Sequence, residues 1–260
     1  MNFDIPYIPE RTRKPREKGL TMVMDKGLSI NEARHFIESS VSHVDMVKLG
    51  FGTSYLTENL SEKIKFYQDS GVNVYFGGTL FEAYIARGMF DDYRKLIDKY
   101  DLGMVEVSDG CIELDHDKKC EYIHELAKQA TVLSEVGSKS SDVLIPPYRW
   151  IEMMKKETEA GSWKVIAEAR EGGNVGIFRN SGEVRSDLIE EISRKIDVDT
   201  ILWEAPKKPQ QVWFIKLMGA NVNLGNIAPN EVIPLECLRL GLRGDTFFDF
   251  LPADMKDKNS

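Results

Sequence analysis

The stretch "LTMVMDKG", residues 20–27, is a short apolar run that ends on two opposite charges and a glycine. Apolar side chains fill almost every position of the run rather than alternate positions, which is typical of a strand buried on both faces. We therefore predict a buried strand over residues 20–24. Asp25 and Lys26 follow it directly, so charged groups lie at its carboxyl end.

The same unit, a buried strand followed by an amphipathic helix, recurs along the chain. The predicted strands cover residues 20–24, 44–50, 72–78, 103–110, 131–137, 163–170, 200–206 and 221–227. The predicted helices lie near 29–40, 59–70, 80–99, 116–130, 150–161, 185–196, 208–218 and 229–241. Strict alternation favours parallel strands with right-handed crossovers, and eight such units predict an α/β fold, the (β/α)8 TIM barrel. A doubly wound open sheet is the alternative, but "MDKGLS" lacks the GxGxxG fingerprint expected after its first strand.

We predict one barrel domain with two short extensions. Residues 18–250 form the barrel, because no stretch within them has the composition of a linker. Residues 1–17 are basic but also acidic in places, and we interpret them as an extended arm or, alternatively, as an anion-binding element. Residues 251–260 form a polar tail.

Composition excludes several classes of protein. The net charge of −8 over 260 residues disfavours a nucleic-acid partner, which requires a basic surface. No apolar run approaches the roughly 18–20 residues of a membrane span, and the amino terminus lacks the apolar core of a secretory signal. Three cysteines without metal-ligand spacing are typical of reduced thiols. We therefore expect a cytoplasmic protein with no membrane partner.

Polar residues, with a glycine among them, mark the carboxyl ends of nearly all the predicted strands. They include Asp25, Lys26, Lys48, Gly78, Thr79, Glu106, Ser108, Glu135, Lys139, Glu168, Arg170, Glu204, Asn223 and Asn226. In a barrel these ends form one mouth, where the active sites of this fold lie. Several glutamates at one mouth would repel each other, so they need cations among them, and Mg²⁺ is the natural candidate for oxygen ligands. Loops 171–178 and 224–231 offer backbone N–H groups suited to a phosphate.

A series of motifs resembles the phosphosulfolactate synthase family. The motifs are "GLTMVMDKG", "VKLGFGTS", "GGTLFEAY", "VEVSDG", "EVGSK", "EAPKKPQQVWFI" and "VNLGNIAPNEVIPLECLRLGLRGDTF", in the family's order from about residue 18 to 248. The resemblance implies a homo-oligomeric barrel enzyme, a lyase, that uses Mg²⁺ to add sulfite to C3 of phosphoenolpyruvate. The product would be (2R)-phospho-3-sulfolactate, a precursor of coenzyme M or of other sulfonates. Two alternatives stay open: a related enzyme of enolate chemistry with another substrate, and a non-catalytic protein like the heat-stress-associated plant paralogue.

The resemblance and the mouth residues together suggest roles for individual side chains. Two or three of four glutamates would bind the metal: Glu106, Glu135, Glu168 and Glu204. Lys139, in "EVGSK", matches the family lysine that is the candidate general acid. Lys26 and Asp25 are the other catalytic candidates: Lys26 would help to hold the anions of substrate and sulfite, and Asp25 would orient Lys26 or a bound water. The remaining candidates would bind the substrates: Lys48, Arg170, Gly78, Thr79, Ser108 and Asn223, with Gly225 and Asn226 as a phosphate cradle.

Overall fold

The computed structural model describes residues 3–137, 145–170 and 172–256. Its strands are β1 (Thr21–Asp25), β2 (Met46–Leu49), β3 (Asn73–Phe76), β4 (Met104–Val107), β5 (Thr131–Val136), β6 (Ser162–Ala167), β7 (Ile201–Glu204) and β8 (Leu224–Ile227). Its helices are α1 (Ile30–Ser40), α2 (Thr53–Leu56), α3 (Leu60–Asp69), α4 (Gly78–Ile85), α5 (Phe90–Lys99), α6 (His116–Ala127), α7 (Pro147–Ala160), α8 (Ser186–Ser193), α9 (Lys208–Met218), α10 (Val232–Arg239) and α11 (Ala253–Lys256). Among these residues no helix is both long and apolar enough to cross a membrane.

The eight strands form one parallel sheet in the order β3-β2-β1-β8-β7-β6-β5-β4. The two ends of this order, β3 and β4, lie in contact, so the sheet nearly closes on itself. Across that seam the backbone N–H of Gly78 donates to Oε1 of Glu106 at 2.7 Å. The predicted (β/α)8 barrel is confirmed, and the open sheet is excluded.

The strands bury both faces, which explains why their sequences are apolar without alternation. On β1, Met22 packs inside the barrel and Val23 packs outward against the helices. Gly225 of β8 belongs to the inner packing, since a Cβ there would come within 2.9 Å of Met22 Cε. The barrel centre is therefore filled with side chains, and a cavity can open only above this layer.

Most predicted boundaries differ from the observed ones by a few residues, and two of the differences need an explanation. The segment predicted as one helix over 80–99 is two helices, α4 and α5, because the chain turns at Gly88 with a φ of +68°. The last strand begins at Leu224 instead of residue 221, since the chain still turns between Gly219 and Val222. This second difference changes the position of a predicted site residue.

The amino-terminal arm packs over the amino ends of the strands, opposite the mouth. Arg11 forms a 2.8 Å ion pair with Glu236 of α10, and Arg16 forms one of 2.8 Å with Asp45, just before β2. Asp45 also accepts the backbone N–H of Thr21 at the start of β1. Because these arginines bind the chain's own carboxylates, the contacts favour the extended-arm interpretation over an anion-binding element.

Candidate active site

A cavity of about 230 Å³ opens at the carboxyl ends of the strands. Each strand, or the segment just after it, contributes to the lining, which consists of Met24, Lys48, Phe51, Gly78, Thr79, Glu106, Cys111, Glu135, Glu168, Arg170, Glu204 and Asn226. The structure therefore brings together all four predicted glutamates, two predicted cations and three of the other predicted substrate-binding residues.

Three of the glutamates converge on one point in the cavity. Glu135, Glu168 and Glu204 are buried, and each places a carboxylate oxygen within 4.8 Å of the other two. Local backbone contacts hold two of these side chains. Glu204 Oε2 accepts the N–H of Ala169 at 3.0 Å, and Glu168 accepts the N–H of Arg170. We call these three residues the carboxylate triad.

Lys48 lies between the carboxylate triad and Glu106. Its Nζ is 2.8 Å from Glu106 Oε1 and 3.6 Å from one oxygen each of Glu135 and Glu204. Burial alone would lower the pKa of Lys48, but the surrounding carboxylates raise it well above its ordinary value. The surrounding carboxylates therefore favour the charged form of Lys48.

Burial disfavours the ionised form of the carboxyl groups around Lys48. Burial raises the pKa of both Glu106 and Glu204, although the Lys48 ammonium opposes the effect. One lysine thus does not fully compensate the acidic cluster, and an additional cation would stabilise it.

The donor set of the carboxylate triad fits a hard divalent cation. Buried carboxylate oxygens that converge are the ligands that Mg²⁺ prefers. Glu106 stands apart from this group, because its Oε1 already accepts from Lys48 and Gly78. Its Oε2 is buried and has no hydrogen-bond partner among residues 3–137, 145–170 and 172–256.

The cavity lining also presents groups that can bind an anion. Nδ2 of Asn226 is buried and makes no hydrogen bond to any part of the chain that the structure describes. Gly78 and Thr79 begin α4, so the positive end of that helix faces the cavity. Arg170 adds an exposed guanidinium at the rim.

Three of the predicted substrate-binding residues do not line the cavity. Asn223 lies at the other end of the barrel, where its amide contacts the backbone of Leu20 and Ile201 at 3.0–3.1 Å, so the prediction that it lies at the mouth is wrong. The error follows from the position of β8, which starts one residue after Asn223. Gly225 packs in the inner core, and Ser108 is buried and donates to Glu82 of α4.

Asp25 and Lys26 separate at the end of β1. The Asp25 carboxylate is 2.6 Å from Nζ of Lys63 and accepts the hydroxyl of Tyr67 at 2.9 Å, so it anchors α3. Lys26 lies on a neighbouring surface depression with Thr53 and Asn59. These contacts favour a structural role for Asp25, and the catalytic role of Lys26 stays a prediction. Lys139 lies outside the described residues.

Three lining residues carry no sequence signal for a site. Met24 continues an apolar strand, Phe51 follows β2 in a backbone with a φ of +43°, and Cys111 is exposed in the segment after β4. Only the folded positions of these residues place them at the mouth.

The parallel sheet nearly closes into a barrel, and its strand ends meet in an acidic cavity. These two features define the class of (β/α)8-barrel proteins with a site at the carboxyl mouth. The family model described as (2R)-phospho-3-sulfolactate synthase (ComA) matches residues 9–245, and this chain belongs to that family. It is 39% identical to the phosphosulfolactate synthase of Bacillus subtilis, covering 93% of this chain and 97% of the relative. It is also 39% identical to that of Methanothermobacter thermautotrophicus, covering 92% and 95%.

Two further comparisons are more distant. The Arabidopsis thaliana protein HEAT-STRESS-ASSOCIATED 32 is 22% identical, with 88% of each chain covered. Among solved structures, 3-hexulose-6-phosphate synthase from Salmonella typhimurium superposes with a TM-score of 0.57 at 14% identity, covering 86% of this chain and all of the other. At this identity the superposition supports the barrel and says nothing about the substrate.

Proposed function

We propose that this protein is a Mg²⁺-dependent phosphosulfolactate synthase that adds sulfite to C3 of phosphoenolpyruvate, a lyase-type reaction giving (2R)-phospho-3-sulfolactate. The observation that carries the proposal is the carboxylate triad beside Lys48 at the mouth of a family member's barrel. Curated relatives at 39% identity bear the name phosphosulfolactate synthase, which supports the same reaction.

The reaction demands stabilisation of negative charge. A lone pair on the sulfur of sulfite forms the bond to C3, and the electrons of the C2–C3 double bond move toward the substrate carboxylate. A proton then reaches C2. Mg²⁺ held by Glu135, Glu168 and Glu204 would supply Lewis-acid stabilisation of that charge.

The chain's own cations and amides would bind the two anionic substrates. Two unit charges 4 Å apart repel each other by about 1 kcal/mol in water and by more in a drier site. Lys48 and Arg170 would offset this repulsion, since Lys48 stays protonated and Arg170 lies at the rim. The Nδ2 of Asn226, which lacks a partner within the described chain, would donate to a substrate oxygen. The start of α4 at Gly78 and Thr79 would contribute its backbone dipole.

Lys48 is poorly suited to deliver the proton to C2, because its raised pKa opposes proton release. Lys139 remains the candidate general acid on the strength of the family resemblance. Assembly into a homo-oligomer likewise stays a prediction.

The proposal is tested by mixing purified protein with phosphoenolpyruvate, bisulfite and Mg²⁺ and following phosphorus and proton NMR. We expect the vinyl protons to disappear, a phosphosulfolactate signal to grow, and EDTA to abolish both changes. Folded protein that consumes phosphoenolpyruvate without sulfite would indicate related enolate chemistry. No turnover at all would contradict the proposal and favour a non-catalytic relative.

A further inference from the structure

A buried ion cluster lies behind the cavity, on the side of β4 and β5. Its centre is Lys119 of α6, whose Nζ is 2.8 Å from Glu157 Oε1 of α7. The same Nζ donates to Asp109 Oδ1, just after β4, at 3.0 Å. Neither Lys119 nor Glu157 lines the cavity, so the chemistry described above does not use them.

Two of the three side chains of the cluster are almost completely removed from solvent, whereas that of Asp109 is 24% exposed. The Lys119 side chain is 1% exposed and that of Glu157 is 0% exposed. Burial alone would lower the pKa of Lys119, but Glu157 and Asp109 raise it above its ordinary value, so the lysine stays charged. A buried charge retained in this way needs all of its partners, and removing one partner leaves the other uncompensated.

One contact connects the cluster to the site. Lys119 Nζ donates to the backbone carbonyl of Glu135 at 2.6 Å. Glu135 is a member of the carboxylate triad and lies next to the last residue of β5. The ammonium therefore fixes the backbone from which that carboxylate extends, while Glu157 holds the ammonium from α7.

We propose that Lys119 is a positioning residue for Glu135: its ammonium holds the carboxyl end of β5 so that the Glu135 carboxylate meets Glu168 and Glu204. The predicted effect on metal binding rests on the proposed function, whereas the positioning of β5 does not. Groups that orient metal ligands from behind typically change metal affinity 10- to 100-fold when they are removed.

Three variants separate positioning from general stability. Lys119→Met removes the ammonium nearest to Glu157 and leaves that carboxylate with the imidazole of His116, 3.8 Å away. The double variant Lys119→Met with Glu157→Leu removes both buried charges, so it regains folding stability without restoring the bond to the Glu135 carbonyl. Arg16→Met is the matched control, because it also breaks a buried 2.8 Å ion pair, but at the opposite end of the barrel.

The variants are compared by Mn²⁺ titration followed by electron paramagnetic resonance, and by hydrogen exchange of residues 131–137. We expect Lys119→Met and the double variant to weaken Mn²⁺ binding at least tenfold and to speed exchange in this segment at least tenfold. Arg16→Met should leave the Mn²⁺ affinity and the exchange rate of residues 131–137 close to those of wild type. An Mn²⁺ affinity within threefold of wild type in Lys119→Met, or one that recovers with stability in the double variant, would overturn the proposal.

If wild-type protein itself binds no Mn²⁺, the proposed metal site fails, and hydrogen exchange alone decides the role of Lys119. Faster exchange at residues 131–137 in the double variant than in Arg16→Met would then support positioning of β5. Equal exchange in the two variants would overturn it.

Discussion

At the scale of single residues, the site combines carboxylates that resist ionisation with buried polar atoms that lack partners in the described chain. Lys48 contacts three glutamates, yet burial still raises the pKa of Glu106 and Glu204. Asn226 and Glu106 each keep one buried polar atom without a partner in the described chain. Such arrangements cost stability and are retained where a ligand completes them.

Without metal, Glu204→Gln should be more stable than wild type, and the difference in stability should grow as the pH rises. Because the folded state raises the pKa of Glu204, the folded protein holds this proton more tightly than the unfolded chain, and stability falls as pH increases from near 4.3 through the raised value. Glutamine cannot ionise, so the variant does not lose this stability. The loss in wild type is about 1.4 kcal/mol of unfolding free energy for each unit by which folding raises the pKa. Urea unfolding of both proteins in EDTA at pH 4, 6 and 8 measures this difference in stability. A stability difference that does not grow with pH would contradict the expectation.

Asn226→Gly should weaken substrate binding without unfolding the protein. The backbone at 226 has a φ of +59°, which glycine adopts readily, and Nδ2 gives up no hydrogen bond to the described chain. Losing one hydrogen bond to a charged substrate costs about 1.5–3 kcal/mol, so KM for phosphoenolpyruvate should rise about tenfold or more. Steady-state kinetics measure this change, and a KM within twofold of wild type would remove Asn226 from the binding site.

At the scale of elements, the seam between β3 and β4 is where helix α4 enters the site. Gly78 allows this entry, because a Cβ there would lie 2.7 Å from Ser108 Cβ and 2.8 Å from Glu106 Oε1. Gly78→Ala should therefore destabilise the protein by about 1–3 kcal/mol through overpacking and should lower activity by displacing Glu106. Gly103→Ala is the control, since nothing lies within 4 Å of a Cβ at that position, and it should change stability by about 0.5 kcal/mol at most. Equal effects of the two substitutions on chemical unfolding would contradict the seam's role.

The sequence predicts these elements well where the signal is local. Apolar runs without alternation predict doubly buried strands, and all eight appear in the structure. A shift of a few residues at the start of β8, however, moved Asn223 from the predicted mouth to the opposite end. Asp25 likewise reads as a site residue in the sequence, but its partners Lys63 and Tyr67 lie about forty positions away, where no local pattern reveals them. The family resemblance supplies the reaction, which neither periodicity nor spacing contains.

At the scale of the whole molecule, the barrel has a functional mouth and a structural base. The arm closes the base through Arg11, which forms a buried ion pair with Glu236, 9% and 7% exposed. Arg11→Met should destabilise the protein by about 1.5–3 kcal/mol, because Glu236 loses its 2.8 Å charged hydrogen bond and keeps the more distant Arg239 at 3.9 Å and His43 at 4.0 Å. The value of kcat should not change. Lys65→Met breaks an ion pair whose partners are 72% and 62% exposed, and should cost at most about 1 kcal/mol. Urea unfolding and steady-state kinetics on both variants check these values, and a large loss of kcat in Arg11→Met would contradict the separation of base and mouth.

The most direct measurement of the central claim is a titration of Mn²⁺ into wild-type protein and Glu168→Gln, followed by electron paramagnetic resonance with and without phosphoenolpyruvate. If Glu135, Glu168 and Glu204 hold the divalent cation, wild type binds one Mn²⁺ per chain, phosphoenolpyruvate changes its spectrum, and Glu168→Gln weakens binding at least tenfold. Equal Mn²⁺ affinity in wild type and Glu168→Gln would contradict a metal site at the carboxylate triad.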